Sequence, residues 1–489
     1  MNEFLSGFVL LMHWHYIGYM FVGVFFGLVL GFLPGLHGGV GIALLLPLTY
    51  GMPPLSALVL LLSIYTGSLF GGAVTSILFN TPGTAANLST TFDGYPMTLR
   101  GEAGRAMGLA LMGSFAGGIV GCVCLLAAAK PMAAIALRFG PGEMFMVALF
   151  GLSVIGGLSN DVVKSLFCGA FGLLLGTVGT SASGVMRGTF GSVYLFDGIP
   201  LTASMIGLMA LPEIYFQIAR IVKFERITLR DDTVLQLFKG MLEAFRYPFH
   251  LLFCSLLGVV VGIMPAAGAQ IATMLSYNQA KQFSRHRDLY GTGYAPGIIA
   301  AETADNASEG GALTTMFVLG IPGGGATALI LGALVLQGWT PGPRLFAEQS
   351  QIIYASISSL FLQQFVMLIL GVVLCLMATQ IIRLPFVYLM PCIVVFTVLG
   401  AYSGRYQFFD SYTLVAFAFI GWLMKKNEYP VVSLVLGIIL GPIADVELMR
   451  VYQAFDSFWE IFLSPIVQVL VVICMVVVAY PVVFGRLRR

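Results

Sequence analysis

The sequence predicts an all-α polytopic membrane protein made of two inverted structural repeats, with broken or re-entrant helices meeting near the bilayer midplane. The 489 residues are 58% hydrophobic and only 9% charged, whereas soluble domains carry roughly 25% charged residues. Apolar runs of about 20 residues, the length that spans a bilayer, recur from one end of the chain to the other. A net charge of +2 gives no reason to expect a nucleic acid partner.

These apolar runs are expected to form the membrane-crossing helices. In chain order they are 17–33, 55–79, 107–128, 144–159, 165–182, 199–219, 249–264, 352–378, 384–400, 408–424, 430–443 and 461–484. Two further stretches, 38–50 and 308–338, are too interrupted to be plain spans.

A basic linker divides the chain. Within it Val234, Phe238, Leu242 and their neighbours share one helical face, which predicts an amphipathic helix at the membrane surface. Positively charged segments favour the cytoplasmic side. The predicted organisation is a first transmembrane repeat at 1–216, a basic cytoplasmic linker at 217–248, a second transmembrane repeat at 249–445, and a C-terminal transmembrane segment with a basic tail at 446–489.

Two sequence motifs of the first half recur in the second half. Gly27, Gly31 and Pro34 return as Gly258, Gly262 and Pro265, an offset of 231 (265 − 34). Ser68, Gly71, Thr75, Pro82 and Gly83 return as Ser308, Gly311, Thr315, Pro322 and Gly323, an offset of 240 (322 − 82). The preserved order of the two motifs predicts an internal structural repeat.

Each half also carries Gly/Pro interruptions inside apolar sequence, which break the helical hydrogen-bond ladder. Paired broken helices in corresponding halves are typical of a transporter binding site, and half-helix N-termini suit an anion. The predicted solute-binding residues are Pro34, Gly35, Asn80, Thr81, Pro82, Gly83, Thr84, Gly320, Pro322, Gly323 and Gly324. We expect Gly323→Val to abolish solute binding with little effect on folding. The alternative is that these glycines only let helices pack closely.

An acidic stretch precedes the second of these interruptions. Ionisable groups at membrane depth usually mark an ion or proton path. The predicted coupling-ion residues are Asn87, Glu302, Asp305 and Asn306; the alternative is an interfacial, solvated segment, and for Glu309 both interpretations stay open. No catalytic, metal-ligating or nucleotide-binding pattern stands out, so we expect neither an enzyme nor a cofactor, and no metal beyond a possible transported sodium ion.

At these motifs the chain resembles the large membrane subunit of the tripartite tricarboxylate transporters, the TctA type. The similar stretches, which extend over about residues 15–470, are Gly31 to Leu36, Ala43 to Gly51, Asn80 to Thr84, Asp93 to Met97, Glu302 to Asn306, Leu319 to Gly323, Pro341 to Pro343 and Gly441-Pro442. The chain departs from the family at Ala266, where a glycine is usual, and at Ala301, where a proline is usual.

The resemblance implies uptake of a di- or tricarboxylate across the bacterial inner membrane, driven by a Na⁺ or H⁺ gradient. It also implies two partners, a small four-helix membrane subunit and a periplasmic solute-binding protein, besides the membrane lipid. The sequence leaves open a stand-alone ion-coupled carboxylate exchanger, a membrane-embedded enzyme and a channel.

Overall fold

The chain is almost entirely helical in the part that the structure, a computed structural model, describes. That part comprises residues 2–33, 38–136, 139–158, 161–181, 183–219, 233–264, 268–381 and 407–484, with isolated positions between 394 and 405. A short antiparallel hairpin, β1 (Gly179–Thr180) and β2 (Met186–Arg187), stands among the helices.

The described helices are numbered in chain order. They are α1 (Asn2–Leu11), α2 (Trp14–Phe32), α3 (Gly38–Leu45), α4 (Pro54–Phe79), α5 (Leu88–Leu99), α6 (Ala103–Ala136), α7 (Pro141–Leu158), α8 (Val162–Gly176), α9 (Leu201–Ala219), α10 (Thr233–Ala244), α11 (Pro248–Ile263), α12 (Gly268–Phe283), α13 (Ala295–Leu319), α14 (Gly325–Leu336), α15 (Pro343–Ile381), α16 (Phe408–Lys426), α17 (Val431–Ala454) and α18 (Pro465–Phe484).

Several helices have the length and composition of membrane spans. Within the described ranges, five qualify alone, and the bent pair α10–α11, with 78° between its two parts, makes a sixth if counted as one span. The five are Trp14–Phe32, Pro54–Phe79, Ala103–Ala129, Glu348–Ala378 and Val431–Ala454. The prediction of an all-α, multi-pass membrane protein is therefore confirmed.

The helix bounds follow the apolar runs closely, with three additions. Helices α1, α5 and α12 were not predicted. Two of them, α5 and α12, are too polar to be recognised as apolar runs. The interrupted stretch 308–338 forms the end of α13 and the whole of α14, separated by a break at 320–324. The predicted span 384–400 falls largely outside the described residues.

Glycines let the helices of each half meet backbone to backbone. A Cβ at Gly31 of α2 would collide with the carbonyl oxygen of Ser68 in α4, and a Cβ at Gly262 of α11 would collide with that of Ser308 in α13. The side chain of Thr75 donates to the carbonyl of Phe32 at 2.6 Å. In the second half, Thr315 donates to the carbonyl of Ile263 at 2.8 Å.

The ends of these helices correspond as well. Both α2 and α11 are followed by an extended residue, Leu33 and Met264, at the offset of 231 (264 − 33). Both α4 and α13 end at a residue in the left-handed conformation, Asn80 and Gly320, at the offset of 240 (320 − 80). The two halves thus share one local architecture, and their inverted orientation stays a prediction.

Helix α10 carries the predicted apolar stripe of the linker. It packs on α6 through small residues: a Cβ at Gly240 would meet the carbonyl oxygen of Arg105. Arg105 also donates to both carboxylate oxygens of Glu243 at 2.7 Å. Val234, Phe238 and Leu242 remain exposed on the other face, as an interfacial helix requires. Residues 220–232 of the linker lie outside the described part.

Candidate functional site

The two helix breaks border one cavity of about 370 Å³, here called the tip cavity. Its walls come from both halves, including the start of α17 in the second half. The lining residues are Gly38, Gly39, Tyr65, Ser68, Leu69, Thr84, Ala85, Ala86, Gly262, Gly268, Ala269, Gln270, Ser308, Ala312, Gly323, Gly324, Gly325, Ala326, Pro430, Val432 and Ser433. Its volume lies within the range of small-molecule sites, roughly 300–1,000 Å³.

Repeat-related residues line the tip cavity in pairs. Ser68 of α4 and Ser308 of α13 both line it, as do Thr84 and Gly324, each of which directly precedes the first helical turn after its break. Both pairs are 240 positions apart (308 − 68 and 324 − 84). A small polar ligand would therefore meet similar groups from both halves of the chain.

Three helices begin at the wall of the tip cavity. The first residues of α3, α12 and α14 are Gly38, Gly268 and Gly325, and all three line the cavity. The first N–H groups of a helix have no intrahelical partner, and its N-terminus carries a partial positive charge. No lysine, arginine or histidine is among the described lining residues. Backbone N–H groups are thus the main electropositive feature of this wall, which suits an anion.

The predicted solute-binding residues divide into two groups. Thr84, Gly323 and Gly324 line the tip cavity, whereas Asn80, Thr81, Pro82, Gly83, Gly320 and Pro322 shape the breaks without lining it. Thr81, for example, donates to the carbonyl of Phe79 at 3.1 Å. Pro34 and Gly35 lie outside the described residues.

The glycines of the second tip have different surroundings. A Cβ at Gly323 would lie 2.5 Å from the Cβ of Ala312, whereas a Cβ at Gly324 would meet no atom within 4 Å. The expectation that Gly323→Val leaves folding nearly unaffected is therefore wrong, because Gly323 is a packing residue. Gly324 is the glycine at which a side chain would enter the cavity.

Three of the four predicted coupling-ion residues, Asn87, Glu302 and Asp305, come together with Thr90 and Ser114 in one buried cluster, here called the acid network. The amide of Asn87 donates to Asp305 Oδ2 at 3.0 Å and to Glu302 Oε1 at 3.4 Å. Thr90 donates to Glu302 Oε1, and Ser114 donates to Glu302 Oε2 at 3.0 Å. Asn87, Glu302 and Asp305 have no exposed surface, which excludes the solvated interfacial alternative for these acids.

The acids lie within the continuous helix α13, upstream of the break at 320–324. Two oxygens of this stretch are buried without a hydrogen-bond partner, Asp305 Oδ1 and Asn306 Oδ1. Buried carboxylates and carbonyls without donors favour a bound cation or a proton, since isolated charge is costly in an apolar interior. Among the described residues, no basic side chain bonds to Glu302 or Asp305.

A direct chain of hydrogen bonds joins the tip cavity to the acid network. The hydroxyl of Thr84, at the cavity wall, donates to Asn87 Oδ1 at 2.6 Å, and the amide nitrogen of Asn87 donates to Asp305. A ligand at Thr84 is therefore two hydrogen bonds away from the buried carboxylate of Asp305.

A larger cavity of about 480 Å³ lies at the other end of α14, where Val335 and Leu336 line it. It contains two ion pairs, Arg187 with Asp445 and Arg405 with Asp410. Both arginines already have a carboxylate partner, which balances their positive charge and leaves them less able to bind an anion.

Sequence reasoning missed several residues of the tip cavity. Ser68 and Ser308 were recognised as repeat markers, but their mid-helix positions gave no sign that they face a cavity. Gly38 and Gly268 each begin the helix that follows a Pro-containing break, 230 positions apart (268 − 38), and the search for Gly/Pro interruptions passed over both. Ser433, whose buried hydroxyl has no hydrogen-bond partner, comes from α17, far along the chain from both motifs.

Comparison with known proteins decides the family. The family described as "Tripartite tricarboxylate transporter TctA family" matches residues 17–436. The chain belongs to the TctA family. The resemblance seen in the motifs is thus confirmed, and TctA membership assigns the chain to a family of transporters.

Two proteins of Agrobacterium vitis are similar to this TctA-family chain. One, an uncharacterized 52.8 kDa protein in the TAR-I ttuC' 3'region, is 34% identical over 436 residues, covering 89% of this chain and 86% of that protein. The other, an uncharacterized protein in the TAR-II ttuC' 3'region, is 31% identical over 193 residues, covering 40% of this chain and 80% of its own length. No solved structure gives a significant match.

Proposed function

We propose that this chain is the large permease subunit of a binding-protein-dependent tripartite system. It carries a small carboxylate of the di- or tricarboxylate class across the bacterial inner membrane into the cell, driven by a Na⁺ or H⁺ gradient. Its partners are a small four-helix membrane subunit and a periplasmic protein that delivers the solute. TctA membership supports the class of solute and the assembly.

The observation that supports coupling between solute and ion is the pair of hydrogen bonds that leads from Thr84 through Asn87 to Asp305. The solute carboxylate occupies the tip cavity, where the N-termini of α3, α12 and α14 offer N–H groups. The coupling cation binds at the acid network, among Asn87, Glu302 and Asp305, with the buried Asn306, next along α13, as a further ligand. Anion and cation then lower each other's desolvation cost, so that each increases the affinity for the other.

Proteoliposomes that contain the chain with its two partners test this proposal. We expect carboxylate uptake that requires the binding protein and follows an imposed Na⁺ or H⁺ gradient. Replacing Na⁺ by K⁺ at constant pH, and separately imposing a pH gradient at constant Na⁺, identifies the coupling ion. Uptake by this chain alone would instead favour the stand-alone exchanger. Absence of uptake with any C4 or C6 di- or tricarboxylate would contradict the proposal.

Asp305→Asn tests the coupling assignment because it removes a charge with little change in shape. We expect coupled uptake, or its dependence on the ion, to be lost. Asp197→Asn, at an exposed aspartate of the larger cavity, is the matched control and should leave uptake unchanged. Wild-type ion dependence in Asp305→Asn would remove Asp305 from the coupling site.

A further inference from the structure

A second buried polar cluster lies two turns along α13 from Glu302. It consists of Thr66, Glu309, Gln363 and Gln364, here called the Glu309 cluster. The hydroxyl of Thr66 donates to Glu309 Oε1 at 2.7 Å and lies 3.4 Å from Gln363 Oε1. Glu309 is 2% exposed, and the other three side chains have no exposed surface. The four residues come from three helices, α4, α13 and α15.

The unpaired amide of Gln364 indicates that this cluster binds a ligand. Its side chain lies beside Glu309, yet neither its amide oxygen nor its amide nitrogen has a hydrogen-bond partner of normal geometry. An unpaired amide in the interior of a protein is costly. The oxygens of Glu309, Thr66, Gln363 and Gln364 are hard donors of the kind that hard cations prefer. A cation beside the Glu309 carboxylate would bind the unpaired Gln364 oxygen.

The repeat supports the same conclusion. The first residues of α6 and α15 are 240 positions apart (343 − 103), as are the left-handed ends of α4 and α13 (320 − 80). The acid network lies where α13 meets α6, through Glu302 and Ser114. The Glu309 cluster lies where α4 meets α15, at the repeat-related place. Thr66 itself corresponds to Asn306, at the same offset (306 − 66).

Charge balance gives a third reason. Glu302, Asp305 and Glu309 are buried carboxylates within seven positions of α13, and in the described part of the chain none of them bonds to a basic side chain. Nearby groups that can ionise, Tyr65 and Cys122, carry no positive charge. One cation at the acid network would leave the carboxylate of Glu309 without compensation, and the incoming solute adds further negative charge.

We propose that the Glu309 cluster is a second monovalent cation site, for Na⁺, separate from the acid network. This inference rests on the proposed ion-coupled function and deepens it, because a transporter with two cation sites moves two cations for each solute. The ligands are a carboxylate oxygen of Glu309, the hydroxyl oxygen of Thr66 and the amide oxygens of Gln363 and Gln364.

Counting bound ²²Na⁺ on the purified full-length chain tests the proposal without depending on transport. We expect two Na⁺ per wild-type chain at saturation, one in Glu309→Gln and one in Asp305→Asn. The remaining Na⁺ of Glu309→Gln should then disappear when Asp305→Asn is added. Two Na⁺ bound to Glu309→Gln, or a single Na⁺ in the wild type that Glu309→Gln retains, would overturn the second site.

A milder variant guards against misfolding of Glu309→Gln. Gln364→Met keeps the length of the side chain but removes its amide oxygen, and it should weaken one of the two Na⁺ sites by tenfold or more. Gln351→Met makes the same change at an exposed position of the same helix α15 and should leave both sites unchanged. Unaltered Na⁺ binding in Gln364→Met would also overturn the proposal.

The ion count separates this inference from the proposed function. Two Na⁺ per chain without carboxylate uptake would contradict the proposed function and leave the second site standing. Carboxylate uptake with one Na⁺ per chain that is lost only in Asp305→Asn would preserve the function and overturn the second site.

Discussion

Asn80 and Gly320 occupy the same place in the two halves of the molecule. Each directly follows a long buried helix and has a left-handed backbone, with φ of 52° at Asn80 and 71° at Gly320. In this conformation a helix ends abruptly, and the chain turns towards the tip cavity. Glycine adopts it without steric cost, and asparagine tolerates it better than most residues.

The left-handed end of α4 predicts a difference between two substitutions at Asn80. Asn80→Gly should change the free energy of unfolding by a few tenths of a kcal/mol, whereas Asn80→Val should destabilise by about 1–2 kcal/mol, since a β-branched residue is strained at positive φ. Asn80 is exposed, so burial plays little part. Thermal unfolding in detergent measures both; equal stability of the two variants would refute the assigned conformation.

The close contact of α2 with α4 predicts that added methyl groups are harmful at some glycines only. Gly31→Ala should destabilise by about 1–3 kcal/mol, because its Cβ would collide with the Ser68 carbonyl. Gly18→Ala, on the same helix, should be neutral or stabilising by up to about 1 kcal/mol, since no atom lies within 4 Å. Thermal unfolding distinguishes them, and a stable Gly31→Ala protein would contradict the packing.

The two neighbouring glycines of the second tip predict opposite phenotypes. Gly324→Val should fold normally and reduce solute affinity at least tenfold, about 1.4 kcal/mol, because its side chain would enter the tip cavity. Gly323→Val should reduce stability through its contact with Ala312. Solute binding to purified protein and thermal unfolding are measured for both. Normal affinity in well-folded Gly324→Val would remove this wall from the site.

The carboxylate of Asp93 links α5 to the loop before α13 through hydrogen bonds. It accepts backbone N–H groups from Gly291, Gly293 and Tyr294 at 2.8–2.9 Å, and the hydroxyl of Tyr277 at 2.8 Å. Asp93→Asn should destabilise by about 3 kcal/mol or more, since an amide cannot accept all four. Tyr277→Phe removes one donor and should cost about 1 kcal/mol. Similar unfolding temperatures for the two variants would show that the hydrogen bonds to Asp93 contribute little to stability.

The inverted relation of the halves predicts opposite accessibility of two repeat-related positions. Leu99 is the last residue of α5 and Thr340 follows the end of α14, at 19 positions after Asn80 (99 − 80) and 20 positions after Gly320 (340 − 320). Cysteines introduced there should react with a membrane-impermeant thiol reagent from opposite sides of the membrane. Labelling of both from one side would leave a parallel repeat. The described native cysteines are buried or partly buried. Labelling of the unsubstituted protein measures their background reaction, which is subtracted.

The sequence predicted those parts of the site that are local in the chain. Apolar runs located helices such as α4 and α6, and breaks in them located Thr84 and Gly324. Helix α12 was not predicted, because polar residues such as Gln270 and Asn278 interrupt its apolar pattern although one face of the helix is buried. The acids Glu302 and Asp305 were recognised by their type alone.

Other features depend on the packing of distant segments. Nothing in the local sequence says that Ser114 of α6 reaches Glu302, or that Gln364 of α15 lies beside Glu309. The same applies to Gly323, whose sequence context resembles that of Gly324 but whose Cβ position is already taken by Ala312. Such pairs are set by how helices pack, which a single sequence does not reveal.

The glycine contacts between α2 and α4, and between α11 and α13, have a mechanical consequence. Helices whose backbones touch cannot slide past each other without losing many contacts at once, so each pair behaves as a stiff rod. Bending within a rod costs more than displacing one rod against the other. We therefore expect any opening of the tip cavity, which both Ser68 and Ser308 line, to come from displacement of one helix pair against the other.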